Sequence, residues 1–131
     1  MVKTQVTFRS AKFPAYEGEE GKTNPGVWGE RLAQYLAAQL SGRGIATGSA
    51  IAEDWGWILP VQSDAFPTAL CCGHQGGDDD EFVVFTEPSK PFVRRGLKKI
   101  DTTVQLRELA AAVDAILAAD SDITDVRWTD V

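Results

Sequence analysis

Trp55-Gly56-Trp57-Ile58-Leu59-Pro60-Val61 decides how this chain is read. Trp55, Trp57, Leu59 and Val61 recur at the period-two spacing of a strand, so all four are expected on one face. Phe66 to His74 and Phe82 to Glu87 read as two further strands, joined by Gln75-Gly76-Gly77-Asp78-Asp79-Asp80, whose glycines and aspartates are turn formers. Three short strands in succession predict an antiparallel meander.

Upstream, Val2 to Arg9 alternates strictly, with Val2, Thr4, Val6 and Phe8 on one side, which predicts a half-buried strand. Ser10 to Thr23 has no sustained period and is expected to form an ordered loop. Asn24-Pro25 has the form of a helix cap followed by a first-turn proline, and Trp28, Leu32, Leu36 and Leu40 then mark one apolar stripe. Gly42 and Gly44 end that helix. A short extended piece is expected around Ile45 to Ala52.

Downstream, Lys90 to Lys99 reads as a connector with a cationic cluster. Asp101 is expected to cap a second helix carrying Leu106, Leu109, Val113, Ile116 and Leu117, and Ile123 to Trp128 to form a last edge strand. Two amphipathic helices and such a sheet bury their apolar faces best as two layers. The expected fold is therefore one α+β domain over residues 1–131: a two-layer sandwich, a mostly antiparallel sheet with both helices on one face, in the order β-α-β-β-β-α-β with one extra short strand.

Composition narrows the function. With 44% hydrophobic and 24% charged residues the chain has a globular balance. Its net charge of -6 opposes a phosphate backbone, so no nucleic acid is expected as partner. Met1 to Val6 lacks the apolar core of a signal peptide, and no apolar run approaches the roughly 20 residues that span a bilayer. No membrane is expected as partner, and the expected location is the cytoplasm. Cys71 and Cys72 are adjacent, a poor geometry for a mutual disulfide, and two free thiols fit a reducing compartment.

Few residues present themselves for chemistry. Gly18-Glu19-Glu20-Gly21-Lys22-Thr23 ends like a phosphate loop, but the spacing puts Tyr16 where the pattern needs a glycine. Cys72 and His74 share a strand face, yet a tetrahedral metal site would need two more ligands, and no metal or other cofactor is expected. A thiol nucleophile activated by His74 is weighed against two small buried thiols beside a strand-end histidine. Asp78-Asp79-Asp80-Glu81 lacks the frame of a calcium loop and reads as a solvated turn.

Two clusters are the candidate binding residues. Glu53, Asp54, Trp55 and Trp57 bring two carboxylates and two indoles together around Gly56, and such tryptophans either build a core or make a recognition surface. Arg94 and Arg95, with Lys98 and Lys99, could bind a phosphate or an acidic segment, or pair with acidic loops of the same molecule.

At Asn24-Pro25-Gly26-Val27-Trp28-Gly29, Glu53-Asp54-Trp55-Gly56-Trp57 and Lys98-Lys99-Ile100-Asp101-Thr102 the chain resembles a family of small uncharacterised bacterial proteins of about this length. The resemblance spans most of the sequence and implies a bacterial source; no activity, cofactor or catalytic residue comes with it. No catalytic residue is assigned. The function expected is a non-enzymatic binding or interaction module, a regulator or immunity-type protein whose partner is another protein, of basic character. The alternative is a small hydrolase or transferase using Glu53, Asp54 and His74 over a floor of tryptophan; a purely structural subunit of an assembly is the third reading.

Overall fold

Strict alternation sets the first strand. In the computed structural model, which describes residues 3–130, β1 runs Gln5–Arg9 with Val6 and Phe8 buried and Thr7 exposed. The expected start at Val2 lies outside the described residues. The elements that follow are β2 (Val27–Trp28), α1 (Glu30–Ser41), β3 (Ile51–Glu53), β4 (Gly56–Val61), β5 (Thr68–Gln75), β6 (Glu81–Glu87), β7 (Phe92–Arg95), β8 (Lys98–Asp101), α2 (Thr103–Ala118) and β9 (Thr124–Thr129).

The sheet order is β3-β4-β5-β6-β1-β9, with β2 pairing β5, so β1 inserts between the end of the meander and the last strand. Every registered pair among the described residues is antiparallel. Leu32, Leu36 and Leu40 of α1 and Leu109, Val113, Ile116 and Leu117 of α2 share one core with Val6, Leu59, Leu70, Cys72 and Val84. All of these strand residues point to the same face, so both helices lie on that face, as expected of the two-layer sandwich. No helix among the described residues is long and apolar enough to cross a membrane.

The sequence expectation errs in three places. First, α1 begins at Glu30 and not at Pro25, because Val27 and Trp28 pair with Gln75 and His74 of β5 instead. Asn24 does not cap it; its amide reaches the Asp54 carbonyl at 3.0 Å. The cap comes from the loop: the fully buried Glu19 carboxylate accepts the Gly29 and Glu30 N–H groups at 2.9 Å each, and the Tyr16 N–H at 3.3 Å. A carboxylate there satisfies orphan donors and faces the positive end of the helix dipole.

Second, the connector at residues 90–99 contains most of a hairpin: β7 and β8 pair from Phe92↔Asp101 to Arg95↔Lys98. Gly96, at φ 63°, opens a two-residue turn of the Gly-X kind. Third, Trp55 does not share a face with Trp57, Leu59 and Val61. It sits in the two-residue turn between Glu53 and Gly56, and Gly56 at φ 151° breaks the alternation, so that the Trp55 ring lies 5.8 Å from Phe85 on the opposite face.

The second helix starts as expected near Asp101, whose carboxylate accepts the Thr103 N–H at 2.7 Å. Just beyond its other end, Asp120 Oδ2 accepts from Lys12 Nζ at 2.5 Å and Tyr35 OH at 2.7 Å, tying the loop after β1 to both helices. Those two donors, the lysine first, hold the Asp120 carboxyl at about 2, well below its usual range. A depressed carboxylate stabilises the fold above its unfolded value, near 4, and loses that contribution as pH falls through its folded value. The stability gap between wild type and Asp120→Asn, measured by urea unfolding, should therefore be full at pH 5 and narrow as pH falls from about 4 to about 2.

Candidate binding surface

Because successive side chains of a strand point to opposite faces, the face away from the helices carries the alternate set. The ladder places Ile51, Ile58, Cys71 and Phe85 directly opposite one another across β3, β4, β5 and β6, with Gln5 and Thr129 continuing the row. None of the first four belongs to the core that α1 and α2 cover. Ile51 is 52% exposed and Ile58 and Phe85 are half-buried, whereas Cys71 between them is buried at 2% exposure, and the Trp55 ring rests against Phe85.

Toward the β5–β6 turn the same face dips into a depression of about 510 Å³, lined by Thr7, Arg9, Gly73, Glu81, Val83 and Arg127 among others. It forms where Gly73, opposite Val83, contributes no side chain. Arg9 stands at its rim among Asp78 (3.1 Å), Asp80 (2.8 Å), Glu81 (2.5 Å) and Asp125 (3.7 Å), so this end of the face remains net acidic.

The sequence-derived candidates divide. Glu53, Asp54 and Trp55 stay together in the β3–β4 turn, the two carboxylates exposed and the indole half-buried. Trp57 leaves the group: it is 4% exposed and packs in the helix-side core, so it is no part of the surface. Arg94 and Arg95 lie on the β7–β8 hairpin at the other end of the sheet, where Arg95 donates to the Ala65 carbonyl in the β4–β5 loop at 3.0 Å. On the hairpin's other side Phe92 is flanked by Lys99 at 4.1 Å and Arg94 at 5.8 Å, a cation-π arrangement, and Leu97 at the tip is fully exposed. The two clusters are thus separated by the length of β4, six residues or about 20 Å.

The cysteine and histidine side chains are engaged structurally. His74 is buried, stacked on Trp28 at 3.7 Å, and its nitrogens face the Gly26 and Asp78 carbonyls, each at 2.9 Å, so it ties two loops rather than facing a thiol. Burial pushes the Cys71 thiol up to about 12 and the fully buried Cys72 thiol higher still, leaving little thiolate near neutrality. Among the described residues no group of three or more His, Cys, Asp or Glu side chains is placed to hold a metal ion.

The repeated Trp-Gly pairs have a steric cause. A Cβ on Gly29 would meet the Cys72 carbonyl oxygen at 2.9 Å, and one on Gly56 would meet it at 2.6 Å, so both Trp28-Gly29 and Trp55-Gly56 abut β5 at one spot. Gly73 completes the crossing, its own Cβ position lying 3.2 Å from the Trp55 carbonyl oxygen. What sequence reasoning missed was the apolar row of the uncovered face and the fully exposed Leu97. No family model, no curated protein and no solved structure matches the chain.

Proposed function

We propose that this chain is a non-enzymatic protein-recognition module, of the regulator or immunity type, acting in a reducing bacterial cytoplasm and binding its partner through the uncovered sheet face. The observation that carries the reading is the row Ile51, Ile58, Cys71 and Phe85, with Trp55 against Phe85, on a face without a covering layer. An antiparallel sheet with one solvated face ordinarily alternates apolar and polar residues. Here Leu70-Cys71-Cys72 and Phe82-Val83-Val84-Phe85 are apolar on both faces, as strands are when both sides are covered.

The surroundings suit a protein. Aromatic anchors within a polar rim are the usual anatomy of an interface, and the acidic end at Glu53, Asp54 and Asp78 to Glu81 suits a basic segment of the partner. The test is affinity capture from source cells with wild type, Trp55→Ala and Phe85→Ser, alongside thermal melts. Both variants are expected to lose a partner that wild type retains, at nearly unchanged Tm. Equal capture by all three would remove the face from consideration, and unfolding of either variant would make its residue part of the architecture.

A further inference from the structure

Resting on that reading of the face, we propose that its occupant is a second copy of this chain, docked antiparallel, so that each basic hairpin β7–β8 lies against the partner copy's acidic β3–β4 and β5–β6 turns. Charge is the first argument. The hairpin carries Arg94, Arg95, Lys98 and Lys99 against Asp101, a net of +3, so with a total of -6 the rest of the chain carries -9. Glu53, Asp54 and Asp78 to Glu81 stand at one end of the main sheet, and the hairpin, a separate two-stranded sheet, stands against the β4–β5 loop at the other.

Only part of this charge is neutralised within the chain: Arg9 holds Asp78, Asp80 and Glu81, and Lys99 and Arg94 flank the Phe92 ring. The five ion pairs among the described residues all belong to Arg9 and Lys12. None reaches the hairpin cations, and none reaches Glu53, Asp54 or Asp79. A polyanion such as a nucleic acid or an anionic bilayer would gain from the hairpin but be repelled by the body. An acidic patch of limited extent fits better, and the chain's own far end is one.

Geometry then selects the arrangement. A two-fold axis lying between the sheets and running across the strands reverses one copy relative to the other, so that both basic ends meet both acidic ends in one closed dimer. Stacked sheets about 10 Å apart interdigitate their facing side chains, which here are the apolar row and its neighbours. Six strands about 4.8 Å apart, from three residues in β3 to eight in β5, present a face of at most about 24 by 20 Å. With two hairpin contacts added, that approaches the roughly 800 Å² per partner of a stable complex.

The experiment is sedimentation equilibrium of the full chain over a range of salt, with two charge-reversal variants. One carries Arg94→Glu, Lys98→Glu and Lys99→Glu; the other carries Glu53→Lys, Asp54→Lys and Asp79→Lys. All six side chains are exposed. Wild type is expected to dimerise at low salt and to weaken as salt screens the ends. Each variant alone should bind itself roughly a hundredfold more weakly, and an equimolar mixture should recover the dimer, because each then meets its opposite charge at both ends.

A wild type still monomeric at roughly 100 µM in low salt, or a dimer that neither reversal weakens, overturns the proposal. If wild type is monomeric while Trp55→Ala and Phe85→Ser still lose a captured partner, the face remains a recognition surface and only the second copy is excluded. If the charge variants behave as expected but Phe85→Ser dimerises like wild type, the face itself is the wrong surface and both readings fall.

Discussion

Gly56→Ala is expected to destabilise the domain by more than about 4 kcal/mol, combining a strained backbone with a steric overlap that the sheet cannot relieve. Gly56 has φ 151°, and a Cβ there would stand 2.6 Å from the Cys72 carbonyl oxygen. That oxygen belongs to the centre of the meander, between β4 and β6, so it has no room to retreat. Two other glycines separate the contributions. Gly26 has φ 79° but open space around its Cβ position, so Gly26→Ala measures strain alone, about 1 to 2 kcal/mol. Gly29, at φ 161°, lies outside the left-handed range and has a Cβ contact of 2.9 Å, so Gly29→Ala measures chiefly crowding. Urea unfolding should rank the losses Gly56, then Gly29, then Gly26. A Gly56→Ala loss no larger than that of Gly26→Ala would mean that β4 does not approach β5 closely at Cys72.

That crossing also shows why part of the fold was legible and part was not. The alternation of Val6 and Phe8, the stripe of Leu32, Leu36 and Leu40, and the turn formers at residues 75–80 are local signals with local causes, and each produced the element expected. Trp55 is misplaced because alternation presumes an unbroken strand, whereas Gly56, the first residue of β4, lets the chain rotate there. The start of α1 was misplaced because pairing of Val27 and Trp28 with β5 depends on residues far away in sequence. Local cap chemistry at Asn24-Pro25 carried no trace of that competition. The hairpin β7–β8 escapes because four of its ten residues are exposed cations and only Val93 and Ile100 are half-buried, so it lacks an apolar period; Gly96-Leu97 is the one signal available.

The candidate site divides along the same line. Glu53, Asp54 and Trp55 stood out in the sequence through composition, and the β3–β4 turn keeps them together. Trp57 stood out for the same reason but is core, since composition says nothing about which face a ring occupies. The uncovered row was hidden by its own apolarity: Phe82-Val83-Val84-Phe85 looks like any buried strand until the helices are seen to cover only one side. Arg94 and Arg95 were correctly grouped with Lys98 and Lys99, but only the ladder shows that the four stand on one hairpin, a sheet's length from the acidic turn.

Glu19→Ala is expected to cost about 3 kcal/mol, because it orphans two N–H groups at the start of α1, each worth about 1 to 3 kcal/mol when left unpaired in a buried setting. Gly29 is buried and Glu30 half-buried, so water cannot fully replace the carboxylate that both now share at 2.9 Å. Glu19→Gln keeps one acceptor for the helix but turns an amide toward the Tyr16 N–H, and about 1 kcal/mol is expected for it. Urea unfolding distinguishes the two, and a Glu19→Ala loss below about 0.5 kcal/mol would show that the helix start is solvated. The consequence extends to the acidic turn. Glu19 holds the loop that also carries Asn24, whose amide binds the Asp54 carbonyl at 3.0 Å. Releasing the cap should therefore loosen the β3–β4 turn, read as faster amide exchange at Trp55 and Gly56, while β7 and β8 at the far end keep their rates. Uniform acceleration in both places would mean that the cap supports the whole fold and not the end of the sheet where the carboxylates stand.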